Sequence, residues 1–418
     1  MPRRREAEDA RSATRQGGDE AARRTPAARA SEPDRKKAAR PHWADLYAEV
    51  VGSRLCSGCG ACVVTCPRGV LGYRDTSPFQ DDDGSSAHSC RFGEAGCDAC
   101  TRACPRFRAG PTGVDEALFG RRRQSDEAAG VFVSALALRA AEREWRGHSQ
   151  DGGLVSMLLV WALETGRIDG AVVAGSRPGH PLRGEPAIAR TRDEILAAAG
   201  SRYTYVPNLL ALAAAAPQER LALVGVGCQV SGLVTAQQAR LKRFRSVVFR
   251  IGLMCSETFS EAPFLDGLLA ARLGLDLHKI EKVNVKGRVV VSTEGSHHGH
   301  LASGPVAGSR ARVGGDGRIE IPLSEARPLA RLQCASCSDF SAEWSDLSAG
   351  GLGLDGWTVG LVRSPLARAW IDLMLAEGLL EARDLGQFPQ AERLMQRLAE
   401  AQRERPGIHR LLQPAQGG

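Results

Sequence analysis

The chain has 418 residues, 43% of them apolar, 25% charged and 5% aromatic, with a formal net charge of +7. That length implies two or three domains, and the composition implies an aliphatic core that needs no disulfide scaffold. Residues 1–41 hold twelve arginines and lysines against seven acids, so most of the charge excess belongs to the N-terminus, and no nucleic-acid module is expected downstream.

Residues 1–41 read as a basic tail rich in Ala, Arg and Pro, without an apolar pattern that would offset the entropy of ordering it. Arg3-Arg4-Arg5 is followed by no apolar segment, which argues against a twin-arginine signal. His42–Val51 places Trp43, Leu46, Tyr47 and Val50 at helical spacing. Next comes Cys56-Ser-Gly-Cys59-Gly-Ala-Cys62-Val-Val-Thr-Cys66-Pro67, then Cys90, Cys97, Cys100 and Cys104-Pro105. The gaps of two, two and three residues closed by Cys-Pro are the bacterial-ferredoxin spacing. Ser57, Gly58, Gly60 and Ala61 leave room for a loop that presents three thiolates to a cubane, and proline delays the following helix. Crossed ligation would give one 4Fe-4S cluster to Cys56, Cys59, Cys62 and Cys104, and a second to Cys66, Cys90, Cys97 and Cys100. Cys90 departs from the pattern, with six residues between it and Cys97. Zinc also uses Cys-x-x-Cys pairs, but three cysteines in one seven-residue loop and two Cys-Pro endings favour iron–sulfur.

The cluster module is expected to span 42–113, followed by an α/β domain over 114–385 and a polar C-terminal tail over 386–418, each module carrying its own core. Val131–Leu138 reads as a strand and Arg139–Arg146 as a short helix. In Ser149-Gln150-Asp151-Gly152-Gly153 the glycine pair opens a helix over 154–164, with Asp151 as its cap. Such a helix start can present free N–H groups to an anion, or it can be an ordinary turn. Strands over Ile168–Ala174, Leu221–Val226 and Ser246–Leu253 alternate with helical patterns over Asn208–Ala216 and Phe259–Leu273, which argues for a largely parallel sheet. Val283–Thr293 and Arg318–Ile321 have hairpin character, 294–317 is a loop carrying His297, His298 and His300, and Leu366–Leu380 is a closing helix. The longest apolar stretch, Leu154–Leu163, is too short to span a bilayer. A reducing cytoplasm is the expected setting.

Four cysteines remain. Cys228 and Cys255 each follow a predicted strand, at the edge where open α/β sheets bind ligands, and Cys334-Ala-Ser-Cys337 adds a pair from a loop. Spacing alone leaves a third cubane and a set of two buried structural cysteines plus a zinc or redox pair as alternatives.

Several ordered motifs between Leu55 and Val362 resemble those of the coenzyme F420 hydrogenase/dehydrogenase beta-subunit family. They are Ser149-Gln-Asp-Gly-Gly-Leu-Val-Ser156, Ile168-Asp-Gly-Ala-Val-Val173, Gly200-Ser-Arg-Tyr203, Gly225-Val-Gly-Cys-Gln-Val-Ser-Gly-Leu233, Ile251-Gly-Leu-Met-Cys-Ser-Glu257, Lys286-Gly-Arg288 and Cys334–Gly353. Its members include F420-reducing hydrogenase beta subunits, 7-hydroxymethyl chlorophyll a reductase and ferredoxin-dependent divinyl chlorophyllide 8-vinyl reductases. The resemblance implies FAD in the α/β domain beside a third 4Fe-4S cluster held by Cys228, Cys255, Cys334 and Cys337. It implies cofactor contacts from Gln150, Asp151, Gly152, Gly153, Ser201, Arg202, Tyr203 and Lys286, with Arg202 and Lys286 in catalytic roles. Trp344, and the turn Gly225-Val-Gly227 before Cys228, depart from the family pattern and bear on the shape of the pocket. The implied reaction passes electrons between clusters and FAD and exchanges hydride with the deazaflavin coenzyme F420. The alternatives are a ferredoxin-dependent reductase of another small molecule, such as a tetrapyrrole, and a non-catalytic electron-transfer subunit. The implied partner is a ferredoxin or a hydrogenase or dehydrogenase subunit.

Overall fold

In this computed structural model the description covers residues 40–405 apart from 81–87, 109, 295–303, 307 and 315. The N-terminal tail, the three loop histidines and the last thirteen residues lie outside the described residues. The helix Trp43–Leu46 is capped by His42, whose backbone N–H donates to Asp45 Oδ2 at 2.8 Å, and it continues as a wide turn to Val51. Trp43, Leu46 and Val50 are buried on its inner face, as their spacing predicts. Two short helices, Ala61–Thr65 and Ala99–Ala103, each end on the cysteine before a proline, Cys66 and Cys104, in extended backbone. The residue preceding proline is disfavoured in the helical region, so the two Cys-Pro pairs set both helix ends. Strands β1 (Leu71–Arg74) and β2 (Ser77–Gln80) form a hairpin beside them.

The larger domain is built from β3 (Ser134–Ala140), β4 (Gly170–Arg177), β5 (His180–Ala189), β6 (Leu221–Val226), β7 (Val247–Leu253), β8 (Ile280–Val285), β9 (Arg288–Thr293), β10 (Gly304–Pro305), β11 (Arg312–Val313), β12 (Ile319–Pro322), β13 (Leu347–Gly350), β14 (Thr358–Val362) and β15 (Leu380–Asp384). Among the described residues, eight of these pair in the order β15-β3-β14-β13-β7-β6-β4-β5. The central four, β13, β7, β6 and β4, are parallel. The expectation of a largely parallel sheet is corrected here, because β14, β3 and β15 on one side and β5 on the other are antiparallel. An apolar run shows that a strand is buried and not which way it points, and β5 turns straight back from β4 at Gly179, whose φ is +73°. A second sheet, β10-β11-β12-β9-β8, packs its Val289, Val291, Ile319 and Ile321 against Phe264, Leu265, Leu268 and Leu269 of the π-helical segment Ala262–Arg272.

Leu154, Leu158 and Trp161 of the helix Leu154–Glu164 sit in one apolar cluster with Trp370 and Met374 of the helix Pro365–Ala376. There Trp370 stacks on Phe249 with centroids 4.2 Å apart. Asp151 does not cap the first of these helices: its N-cap is Gly153, at φ +77°, and no side chain closes the end. The cluster module has a core of its own around Trp43, Leu55, Leu71 and Phe107. It does not stand apart, however, because Cys59, Ala61, Val64 and Ala103 share a second cluster with Val172, Leu221, Leu223 and Leu233 of the α/β domain. The described residues accordingly fall within one compact unit, Ala39–Gly418. The segment after 386 is more than a tail. Its helix Pro389–Arg403 buries Ala391, Met395 and Ala399, and burying the methionine alone contributes about 1.5–3 kcal/mol.

Candidate active site and redox centres

All twelve cysteines are free thiols, and they gather in three sets. Gly58 and Gly60 take positive φ, +77° and +81°, which lets the loop curl so that Cys56, Cys59 and Cys62 converge with Cys104. Burial pushes the Cys59 thiol up to about 11, and burial followed by the proximity of Cys56, Cys59 and Cys104 pushes Cys62 well above the ordinary thiol range. Four thiolates cannot coexist there without a cationic centre between them, and this is the donor set an iron–sulfur cluster requires. The second set, Cys66, Cys90, Cys97 and Cys100, lines one small pocket. Cys90 reaches it because the short helix Arg91–Glu94 takes up the longer gap.

The third set forms where the sequence placed its two halves. Cys228 lies in the first turn of the helix Gly227–Gln238 directly after β6, and Cys255 follows β7, its parallel neighbour. Cys334 and Cys337 come from the tight turn Leu332–Ser336. All four line one small pocket together with Arg331, Tyr205 and Asp339. Burial, then Cys337, raises the Cys228 thiol to about 12, and burial with Cys334 beside it raises Cys255 well above the ordinary thiol range. Tyr205 OH and Thr258 Oγ1 each lie 3.8 Å from a sulfur, Cys228 and Cys334 respectively. The C-terminal helix closes the floor: Gln402 Nε2 donates to the carbonyls of Cys255 and Asp339, and Arg405 Nη1 to those of Ser256 and Cys334. Among the described residues no group of three or more His, Cys, Asp or Glu is arranged to hold a single metal ion.

Beside this set, three segments meet around Gln150. Its Oε1 accepts from Ser201 N–H at 3.2 Å, and its Nε2 donates to the Val283 carbonyl at 3.3 Å and to Tyr203 OH at 3.5 Å. Tyr203 OH donates to Asn284 Oδ1 and accepts from Val285 N–H, both at 3.2 Å. Lys286 Nζ stands 3.3 Å from Asp151 and 3.2 Å from Asp355, and Lys282 Nζ donates to the carbonyls of Ser149 and Gln150. Burial raises the Asp151 carboxyl above its ordinary value while Lys286 pulls it down, and burial lowers the Lys282 ammonium. Two cations and a phenol on one strand and loop suit an anionic, ring-bearing cofactor. Around them Ser149 Oγ, Arg202 Nε and Thr204 Oγ1 are buried with no hydrogen-bond partner among the described residues, which fits a site whose ligand completes the bonding.

Not every expected contact falls here. Arg202 turns its Nη1 to the carbonyls of Ala198, Ala199 and Gly200 and its Nη2 to Ser176 Oγ of β4, which leaves only its Nε without a partner among the described residues. A Cβ at Gly152 would stand 2.7 Å from the Leu138 carbonyl and 2.8 Å from Thr358 N, and one at Gly153 3.2 Å from the Trp145 carbonyl. The glycine pair is therefore explained by close backbone packing and a left-handed turn. Trp344 lies in an open groove that Cys228 and Cys337 also line, where its Nε1 donates to Asp115 Oδ1. Lys282, Asn284 and Thr358 escape a motif-based reading. Alternation along β8 is the signal that finds the first two, since they lie two and four residues before Lys286 on one strand face.

The sets stand in sequence through the molecule. Cys62, Cys90 and Cys100 share one cluster, Ser57 lines the pocket of the strand-end set, and Phe259 N–H, four residues after Cys255, donates to the Tyr203 carbonyl at 2.8 Å. Two family models match the chain, both describing the beta subunit of coenzyme F420 hydrogenase/dehydrogenase: the model of its N-terminal part matches residues 135–213, and the model of its C terminus matches residues 218–387. The coenzyme F420 hydrogenase subunit beta of Methanothermobacter thermautotrophicus is 30% identical over 285 residues, which is 66% of this chain and 93% of that protein. The chloroplastic 7-hydroxymethyl chlorophyll a reductase of Oryza sativa is 29% identical over 280 residues, covering 63% of this chain and 54% of that one. A chain of the F420-reducing NiFe hydrogenase complex from Methanosarcina barkeri superposes with a TM-score of 0.59 at 26% identity, over 68% of this chain and 92% of its own. No helix among the described residues is long and apolar enough to cross a membrane.

Proposed function

The chain belongs to the coenzyme F420 hydrogenase/dehydrogenase beta-subunit family and is an oxidoreductase; from that premise we propose that it carries electrons between iron–sulfur centres and FAD, and exchanges hydride with coenzyme F420. The observation that supports this reading is the strand-end pocket of Cys228, Cys255, Cys334 and Cys337, which Ser57 of the ferredoxin-type loop also lines and which is joined to the Tyr203 segment through the Phe259–Tyr203 backbone bond. Cys56, Cys59, Cys62 and Cys104 would hold one 4Fe-4S cluster, Cys66, Cys90, Cys97 and Cys100 a second, and the strand-end set a third. When bound, FAD supplies the conversion between one-electron and two-electron chemistry. Lys286, positioned by Asp151 and Asp355, supplies positive charge toward the reduced ring, and Lys282 fixes the 149–150 backbone that borders it. Gln150 ties the Ser201 loop to β8 and keeps these groups in register. Electrons would enter or leave through a protein partner of the ferredoxin or hydrogenase-subunit kind, in a reducing cytoplasm.

A second reading is a ferredoxin-driven reductase of a larger ring substrate. The groove beside Cys228 and Cys337, together with the similarity to the chlorophyll a reductase, favours it. Anaerobic purification, identification of the extracted flavin and a turnover screen with F420 and with reduced ferredoxin test both. F420 turnover with bound FAD is expected. Flavin-free protein, or turnover only of a tetrapyrrole, would overturn the first reading.

A further inference from the structure

Arg331 lies between the first ferredoxin-type set and the strand-end set, and is only 5% exposed. It precedes the turn that carries Cys334, and its backbone N–H donates to the Thr258 carbonyl at 2.9 Å. Its Nη1 donates to the carbonyl of Ser57, between Cys56 and Gly58, at 3.1 Å. Its guanidinium covers the face of Tyr205 at 3.8 Å, the residue whose hydroxyl faces Cys228 Sγ. Nη2 presses on Gly58, where a Cβ would come within 2.7 Å of it. Nε and Nη2 have no hydrogen-bond partner, and no carboxylate pairs with the group, among the described residues.

A buried cation without a counter-charge costs several kcal/mol, so the fold keeps one here only if negative charge stands close by. Glu257 and Asp339 line the same pocket but neither pairs with the guanidinium, and Glu257 faces Arg327, whereas two sets of four thiols flank it. Arg331 lines one pocket with Cys228, Cys255, Cys334 and Cys337 and holds the carbonyl of Ser57, the neighbour of Cys56, so it stands against both sets. A thiolate-ligated 4Fe-4S cluster is an anion whose negative charge grows by one on reduction.

We propose that Arg331 is a counter-charge shared by the Cys56/Cys59/Cys62/Cys104 centre and the Cys228/Cys255/Cys334/Cys337 centre, and that it raises the reduction potentials of both. The proposal rests on the reading of these sets as iron–sulfur centres. Attraction to a fixed cation is larger for the reduced cluster than for the oxidised one, so removing the charge makes each centre harder to reduce. The Cys66/Cys90/Cys97/Cys100 centre lies beyond the first set and serves as an internal reference.

The test is an anaerobic, EPR-monitored redox titration with iron counting of the unsubstituted protein, Arg331→Lys, Arg331→Met and Arg331→Gln. In Arg331→Met and Arg331→Gln the reduced-to-oxidised ratio of the two flanking centres, read at their original midpoints, is expected to fall at least tenfold, which is 59 mV for a one-electron couple. The reference centre and Arg331→Lys should stay where they are. If the two neutral variants instead lose iron from those centres while Arg331→Lys keeps it, the same need for charge is shown, since glutamine retains a donor for the Ser57 carbonyl. Unchanged potentials with full iron in either neutral variant overturn the proposal. So do equal shifts in all three variants, or loss of iron in all three. Failure of the underlying reading is seen separately, as absence of iron from the strand-end set in the unsubstituted protein.

Discussion

The ferredoxin-type module and the pocket at Gln150 differ in how they are assembled. The module draws eight cysteines from one run of fifty residues, and two Cys-Pro pairs and two left-handed glycines set its geometry locally. The pocket draws Gln150, Tyr203, Lys282, Lys286 and Thr358 from four segments that lie far apart in the sequence and meet only in the folded chain. The strand-end cysteines stand between these cases, with two placed by adjacent parallel strands and two by a single turn. A local site survives changes elsewhere in the chain, and a site built from distant segments fails with the core beneath it.

The largest effect that sharpens this contrast is expected from Cys255→Ser. Loss of that ligand should remove about four of roughly twelve irons, abolish electron passage from reduced ferredoxin to F420 and leave the flavin in place. Iron analysis and single-turnover reduction of the flavin check it. Gly152→Val should come next. Its added atoms meet the Leu138 carbonyl and Thr358 N, and overpacking of this kind costs about 1–3 kcal/mol or more. Thermal unfolding should show the loss, with flavin and strand-end iron falling together. Loss of flavin alone from a protein of normal stability would return the glycine pair to a cofactor-contacting role. Lys286→Met should weaken flavin or F420 binding roughly tenfold, the worth of one charge-assisted contact, without changing the iron content. Equilibrium binding followed by fluorescence reads it out. The smallest effect is expected from removing residues 1–38, which should leave iron, flavin and turnover unchanged.

The legibility of the chain follows the same division. Spacing alone delivers the eight module cysteines, because three thiols within seven residues can converge only through a curled loop. Cys90 was the exception in spacing, and a four-residue helix reconciles it with its set. Hydrophobic runs located β4, β6 and β7 to within a few residues, while the direction of β3, β5 and β14 depends on pairing partners far away in sequence. The glycine pair was legible as a helix start, but its cause, Leu138 and Thr358 packed against it, was not. Arg202 reads as a cofactor cation in the motif, and in the fold its Nη groups hold its own loop to β4 while Nε stays without a partner among the described residues. Arg331 carries no motif at all, since its significance lies in what surrounds it: Ser57, Tyr205 and two sets of thiols.

The central claim is that three cysteine-held iron–sulfur centres lead in sequence to one flavin pocket. The most direct test is an anaerobic determination of iron, acid-labile sulfide and flavin on the intact protein, repeated on Cys255→Ser. The account predicts about twelve irons, about twelve sulfides and one FAD, with a loss of about four irons in the variant. Zinc in place of iron, or about eight irons unchanged by the substitution, would contradict it.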